Sequence, residues 1–318
     1  MQTILVAGGA GFIGSHLCDF LLGKGDHVIC VDNLLTGSRG NIEHLLINPA
    51  FTFLNHNVNE EFPEIEKVDA IFHLASPASP NHHSKLSYHA LPLETMLVNT
   101  QGTLNLLKLA EKNQAKFLFA STSEAYGDPL QHPQREDYRG NVSTIGPRSV
   151  YDEAKRFGET ITSYFWRERH VDARIVRIFN TYGPRLAKAD MRMISVFIQQ
   201  ALTDKPLTVF GDGQQTRSLC YVSDLIEGLN RLMFYPETKG QVVNLGSQEE
   251  HTVLEYATMI KELTNSRSEI VFSEKLPEDD PIKRQPDITK AQQLLQWEPK
   301  VSLHDGLMKM IEAYRVTE

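Results

Sequence analysis

Apolar residues recur along this chain in two alternating rhythms. Short β-branched or aromatic runs at Thr3 to Ala7, His27 to Val31, Phe51 to Asn55, Val68 to Leu74, Phe117 to Ser121 and Ala173 to Ile178 read as buried strands. Between them lie stretches with helical spacing. Ile13, Leu17, Phe20 and Leu21 predict a helix closed by Gly23-Lys24-Gly25. Leu97, Leu104, Leu107 and Ala110 form the apolar stripe of a helix over Leu91 to Lys112, and another covers Val150 to Arg169. This alternation implies an α/β fold, a doubly wound parallel sheet whose ligands gather at the strands' carboxyl ends. His73-Leu74-Ala75-Ser76 and Ser121-Thr122-Ser123-Glu124 fall at such ends.

The first strand runs directly into Gly8-Gly9-Ala10-Gly11-Phe12-Ile13-Gly14, and the second ends at Asp32. Strand, glycine turn, helix and a later carboxylate are the parts of a dinucleotide site. The glycines let the backbone approach a pyrophosphate at a helix N-terminus, and the carboxylate accepts bonds from the adenosine ribose. Glycines at 8, 11 and 14 point to the short-chain dehydrogenase/reductase form of this Rossmann-type fold. Asp32 disfavours a 2′-phosphate, so NAD is expected over NADP, with Arg39 the one nearby residue that contests it.

Tyr151 and Lys155 are one helical turn apart, so an ammonium can lie beside a phenol and favour its phenolate. The spacing alone is also that of a surface pair on an amphipathic helix. Thr122, at a strand end, completes a Thr-Tyr-Lys arrangement suited to oxidising a secondary alcohol. Glu124 beside it can exchange a proton next to a ketone, or face solvent at a helix start. Arg217 and Arg284, each behind a turn-rich loop, suit carboxylates or diphosphates as readily as surface ion pairs.

A net charge of −8 argues against a general nucleic-acid binder. Cys18, Cys30 and Cys220 are scattered and odd in number, giving neither a disulfide framework nor a zinc site, which suits a reducing compartment. The apolar run at Ile4 to Ala7 is too short for a signal or membrane segment, so no membrane partner and a cytoplasmic location are expected. His82, His83 and His89 come without a neighbouring carboxylate or cysteine ligand in sequence, and no metal is assigned.

Taken together these motifs resemble the extended short-chain dehydrogenases acting on nucleotide sugars, most closely the UDP-glucuronate decarboxylases. The resemblance runs from the glycine motif to Trp297-Glu298-Pro299 and is most specific at His73 to Pro80, Thr122 to Pro129, Ile145-Gly146-Pro147-Arg148, Arg177 to Arg185 and Gln215-Thr216-Arg217-Ser218. It implies that Tyr151 removes the proton of the sugar's 4-hydroxyl while Lys155 lowers its pKa and holds the nicotinamide ribose. Thr122, Ser123 and Glu124 would handle substrate hydroxyls and protons, and Arg217 would assist departure of the carboxylate. It further implies an NAD site made from Gly8, Gly11, Phe12, Ile13 and Gly14, from Asp32, Asn33, Thr36 and Gly37, from Asn57 and Val58, and from Leu74, Ala75, Ser76 and Asn99. For the UDP-sugar it implies Pro80, Asn81, Asn180, Arg185, Phe210, Gln215, Tyr221 and Arg284 beside Glu124 and Arg217.

The resemblance implies residues 1–180 as the NAD-binding domain, with a strand and helix returning from about 205–245. Residues 181–204 and 246–318 would form a smaller α/β nucleotide-sugar domain. The resemblance implies a homodimer through the helix that carries Tyr151 together with the preceding long helix, with outward-facing Phe157, Ile161, Tyr164 and Phe165 shared between the sheet packing and the partner. Ser123-Glu124 with Arg217 favours decarboxylation. Epimerisation at carbon 4, 4,6-dehydration and release of a 4-keto-pentose remain alternatives on the same scaffold. The chain departs from the family in a longer loop at Asn81 to His89, in Val196, in Arg139, in Ser143-Thr144 and in Asn57.

Overall fold

The computed structural model describes residues 1–65, 67–277 and 280–316. The first half runs β1 (Thr3–Ala7), α1 (Phe12–Gly23), β2 (His27–Asp32), β3 (Phe51–Asn55), β4 (Ala70–His73), α2 (Pro92–Leu97), α3 (Thr103–Asn113), β5 (Lys116–Thr122), α4 (Ser149–Glu168) and β6 (Ala173–Ile178). The second runs β7 (Thr181–Tyr182), α5 (Met193–Leu202), β8 (Leu207–Val209), β9 (Thr216–Ser218), β10 (Cys220–Tyr221), α6 (Val222–Phe234), β11 (Val242–Leu245), β12 (Glu250–Thr252), α7 (Val253–Thr264), β13 (Ile270–Phe272), α8 (Thr289–Leu295) and α9 (Leu303–Val316).

Among the described residues, seven strands form one parallel sheet in the order β11-β6-β5-β4-β1-β2-β3. Alternate residues feed two cores, as a sheet covered on both faces requires. Ile4, Val6, Phe72 and Leu118 pack with Leu17 of α1 and Leu225 of α6. Leu5, Ala7, Ile71 and Phe117 pack with Leu106 of α3 and Phe165 of α4. Strand order reverses between β1 and β4, which opens a crevice at their carboxyl ends.

The chain rejoins this sheet through α6 and β11. β8 pairs in parallel with β13 outside the large sheet. A second layer forms around α5, α7 and α9, whose Phe197, Ile260 and Met310 are buried. Two further pairs, β7 with β10 and antiparallel β9 with β12, link the layers near the crevice; the second places Arg217 opposite His251.

The helix expected over 91–112 is interrupted. α2 passes into a π-turn at Val98–Gly102 before α3 begins. The surplus residue accommodates close packing: a Cβ on Gly158 of α4 would lie 2.3 Å from Phe119 Cζ and 2.9 Å from the Asn99 carbonyl oxygen. Leu97, placed in the apolar stripe by spacing, is therefore 40% exposed, while Val98 and Asn99 turn inward.

Candidate active site

The crevice holds a cavity of about 900 Å³ running from the glycine turn to the second layer, with a narrow recess of about 100 Å³ beside β2. Gly8 (φ +80°) sits at the switch point, where a Cβ would lie 2.7 Å from the Ala75 nitrogen; one on Gly14 would meet the Gly8 oxygen at 2.0 Å. Only glycine allows β1, α1 and the loop after β4 to meet so closely. Gly11 caps α1, whose first turn carries no acidic residue, so its positive end faces the cavity uncompensated.

Asp32 closes β2. Its carboxylate accepts the Ala10 amide at 3.0 Å and the Leu34 amide at 2.8 Å, and burial raises its pKa against these bonds. A Cβ on Gly37 would lie 2.8 Å from that carboxylate. Asn33, Gly37, Asn57, Val58 and Ala75 line the recess with Asp32, while Phe12, Ile13, Thr36, Leu74 and Ser76 line the main cavity. Arg39 is exposed. Asn99 reaches neither wall directly. Its amide donates to Ser76 Oγ at 2.9 Å and to the Thr95 carbonyl at 2.8 Å, and it acts through Ser76. A glycine cradle, an open helix N-terminus and an anchored carboxylate together fit a dinucleotide.

β5 and α4 bring the reacting side chains together. Thr122, Ser123, Glu124, Tyr151 and Lys155 are buried and all line the cavity. Thr122 neighbours the Tyr151 phenol and favours its ionised form, and its Oγ accepts the Glu124 amide at 3.2 Å. Lys155 donates to the Ala120 carbonyl at 2.8 Å, and its Nζ lies 5.7 Å from the Tyr151 ring centre. Burial dominates both groups in the protein alone: Tyr151 is pushed up to about 12 against the influence of Thr122, and Lys155 is held down to about 7. In the protein by itself, burial therefore outweighs any lowering of the phenol by Lys155.

Glu124 departs most from expectation. Burial opposes its ionisation, but the guanidiniums of Arg148 and Arg284 outweigh that and hold the carboxyl well below the usual carboxylate range. Arg284 grips both oxygens, one at 2.8 Å, and Arg148 approaches at 2.6 Å. A carboxylate held in this way is ionised in the protein by itself and positions its arginines. Asp280 extends the chain of charges, reaching Arg148 at 3.1 Å and Arg217 at 2.8 Å. Three buried guanidiniums thus surround two carboxylates beside the Thr122–Tyr151 pair.

Pro80, Asn81, Asn180, Arg185, Phe210 and Gln215 line the cavity's far half, as does Val196. Arg185 is paired with Asp19 at 2.6 Å, and Gln215 donates to the Phe210 carbonyl at 3.0 Å while its own oxygen stays buried without a partner. Tyr221 is the exception. It is not on the cavity wall; its ring packs against Tyr182 at 5.5 Å and beneath Lys309 at 5.4 Å, because β10 turns it into the seam between layers.

Sequence reasoning missed Arg148, Asp280 and Tyr88, whose ring stacks on Tyr151 at 4.9 Å. For Arg148 a signal existed. It directly precedes the first turn of α4, where the helix dipole disfavours a cation, so its presence there calls for an anion. Among the described residues no helix is long and apolar enough to cross a membrane.

Comparison with known proteins accords with this geometry. Residues 4–246 match the model of the NAD dependent epimerase/dehydratase family. UDP-glucuronic acid decarboxylase 4 of Arabidopsis thaliana is 52% identical, over 98% of this chain and 68% of that protein. UDP-glucuronic acid decarboxylase 1 of Danio rerio is 50% identical, over 98% of this chain and 72% of its own. Among solved structures, a UDP-glucuronic acid 4-epimerase mutant of Bacillus cereus, in complex with UDP-4-deoxy-4-fluoro-glucuronic acid and NAD, superposes with a TM-score of 0.88 at 31% identity and covers 100% of both chains. By its cradle, its sheet and these relatives, the chain belongs to the NAD dependent epimerase/dehydratase family and stands within it among the UDP-glucuronic acid decarboxylases.

Proposed function

We propose that this chain decarboxylates UDP-glucuronate to UDP-xylose, using NAD that is reduced and reoxidised within one turnover. The observation that carries the reading is the cluster of Arg148, Arg217 and Arg284 beside Thr122 and Tyr151, a cationic surface next to an alcohol-oxidising pair. The relatives named decarboxylases support it.

The glycine turn, Asp32 and Lys155 would hold NAD, which would supply the acceptor and later the donor of one hydride. Tyr151 takes the proton of the 4-hydroxyl, with Thr122 beside its phenol favouring the ionised form. The resulting ketone lies β to the carboxylate, so the bond to that carboxylate breaks with its electrons entering an enolate and carbon dioxide leaving. A proton from solvent is added to carbon 5, which lost the carboxylate, and re-reduction at carbon 4 with proton return from Tyr151 completes UDP-xylose. The arginines hold the anionic substrate, and Glu124 sets two of them in place.

Incubation with UDP-glucuronate and NAD tests this directly. Carbon dioxide and a UDP-pentose are expected. UDP-galacturonate with the carboxyl retained would establish the epimerase reading, which the Bacillus cereus likeness favours, and a 4-keto-pentose would mean the cycle stops before re-reduction.

A homodimer belongs to the same proposal. Leu93, Met96 and Leu97 on α2 and Phe157 and Tyr164 on α4 are exposed and apolar, and α2 packs against α4. Phe165, expected to be shared between the sheet packing and the partner, is buried in the core. Sedimentation of the native chain against Phe157→Glu is expected to show a dimer replaced by a monomer. Three buried free cysteines support a reducing, cytoplasmic setting.

A further inference from the structure

The loop that distinguishes this chain carries His82 and His83, and the fold supplies what their sequence neighbourhood lacks. Glu274, which follows β13, brings its carboxylate to 3.1 Å and 3.3 Å from His83 Nε2 and to 3.7 Å from His82 Nε2. All three donor groups lie within 4.8 Å of one another. Tetrahedral ligands bound at about 2.05 Å stand about 3.4 Å apart, and the measured separations straddle that value.

We propose that His82, His83 and Glu274 form a divalent transition-metal site that ties together two lips of the substrate cavity. Two imidazoles and one carboxylate leave a coordination position for water, a donor set suited to zinc and its neighbours. Each lip is already held by hydrogen bonds of its own. On one, the His83 amide donates to Asn81 Oδ1 at 2.9 Å and Asn81 Nδ2 to the Met191 carbonyl at 2.8 Å. On the other, the Glu274 carbonyl accepts the Gly211 amide at 2.7 Å and the Ser273 amide donates to Val209 at 3.0 Å. The ligands are thus pre-arranged, and binding need order only three side-chain ends.

The lips matter because each continues into the cavity wall. Pro80, Asn81 and His82 line it from one side, and Leu276, Pro277 and Asp280 from the other. A bound ion would fix the distance between the sugar loop and the segment leading to Asp280. Among the described residues, solvent-exposed His–Glu contacts and a ring contact of His82 with Phe210 at 6.4 Å join them, and such exposed ion pairs contribute little.

The test is titration of zinc chloride into the metal-free chain in a non-chelating buffer, by calorimetry, beside His83→Gln and Glu274→Gln. One saturable site is expected in the native chain, weakened at least about 10-fold in each variant. Absence of a saturable site, or native affinity in either variant, overturns the proposal. Amide hydrogen exchange reads the tie without reference to catalysis: zinc is expected to slow exchange across 81–84 and 273–276 in the native chain and not in Glu274→Gln. Unchanged exchange in the zinc-bound native chain refutes the tie between the lips.

Discussion

Asp280 occupies two of the guanidiniums that an anionic sugar needs, and Asp280→Asn measures what that occupation costs the substrate. The carboxylate spans Arg148 at 3.1 Å and Arg217 at 2.8 Å, with side-chain exposures of 19% for Asp280, 5% for Arg148 and 10% for Arg217. Hydrogen bonds to charged groups contribute about 1.5–3 kcal/mol each and are roughly twice as strong as neutral ones. Asparagine keeps one acceptor oxygen without the charge and sets an NH2 that cannot accept against the other guanidinium, so at the lower end of that range one contact is halved and the other lost, about 2 kcal/mol together. If the substrate's anion displaces Asp280, its binding no longer works against those contacts, and affinity rises about 30-fold. Calorimetry with UDP-glucuronate in the presence of NAD reads this directly, with UDP-glucose as the ligand lacking a carboxylate. A gain for both ligands assigns the displaced position to the diphosphate; a gain for UDP-glucuronate alone assigns it to the carboxylate. Unchanged or weaker binding of UDP-glucuronate would refute displacement and make Asp280 a brace for the arginines.

Tyr151→Phe is expected to lower turnover by about 10²–10⁴-fold while leaving NAD binding, followed by fluorescence, near native; turnover within a few-fold of native would remove Tyr151 from the proton path. Acid should destabilise the fold through Glu124. Its folded pKa lies below the ordinary 4.5, so its contribution is fully present above that value and drains away as pH falls beneath it. Urea denaturation at neutral and acidic pH should therefore show a smaller acid loss in Glu124→Gln, which starts about 3–5 kcal/mol lower because two buried guanidiniums lose their charge partner; an identical acid loss in both proteins counts against this. Gly158→Ala forces a methyl against Phe119 and the Asn99 carbonyl and should cost about 1–3 kcal/mol, seen as a lower melting temperature. A melting temperature equal to native would mean that α4 shifts freely.

The strands were legible because a parallel sheet buried on both faces writes itself as unbroken β-branched runs, and the glycine turn because three backbones meet where a Cβ would collide. Local chemistry ends there. Arg148 and Asp280 are 132 positions apart, and Glu274 lies 191 beyond His83. No spacing rule links them; only the docking of the second layer does. Glu124 shows the same limit in another form. Its place at the end of β5 was readable, but whether it carries a proton depends on two guanidiniums delivered by the start of α4 and by the loop before α8. Leu97 and Phe165 were misplaced for a geometric reason, since periodicity gives a helix an apolar stripe but not which neighbour that stripe meets.

The π-turn at Val98–Gly102 acts as a phase shifter between two surfaces that have nothing chemical in common. A helix advances about 100° per residue, so one surplus residue re-indexes everything before it. It lets Asn99 face Ser76 at the cofactor cleft while Leu93, Met96 and Leu97 face outward. Both surfaces hang on the same count of residues. Side chains on the outer face of α2 are free to drift without disturbing the cleft, but an insertion or deletion there would change both at once. The helix that looks least catalytic is the one whose length is least negotiable.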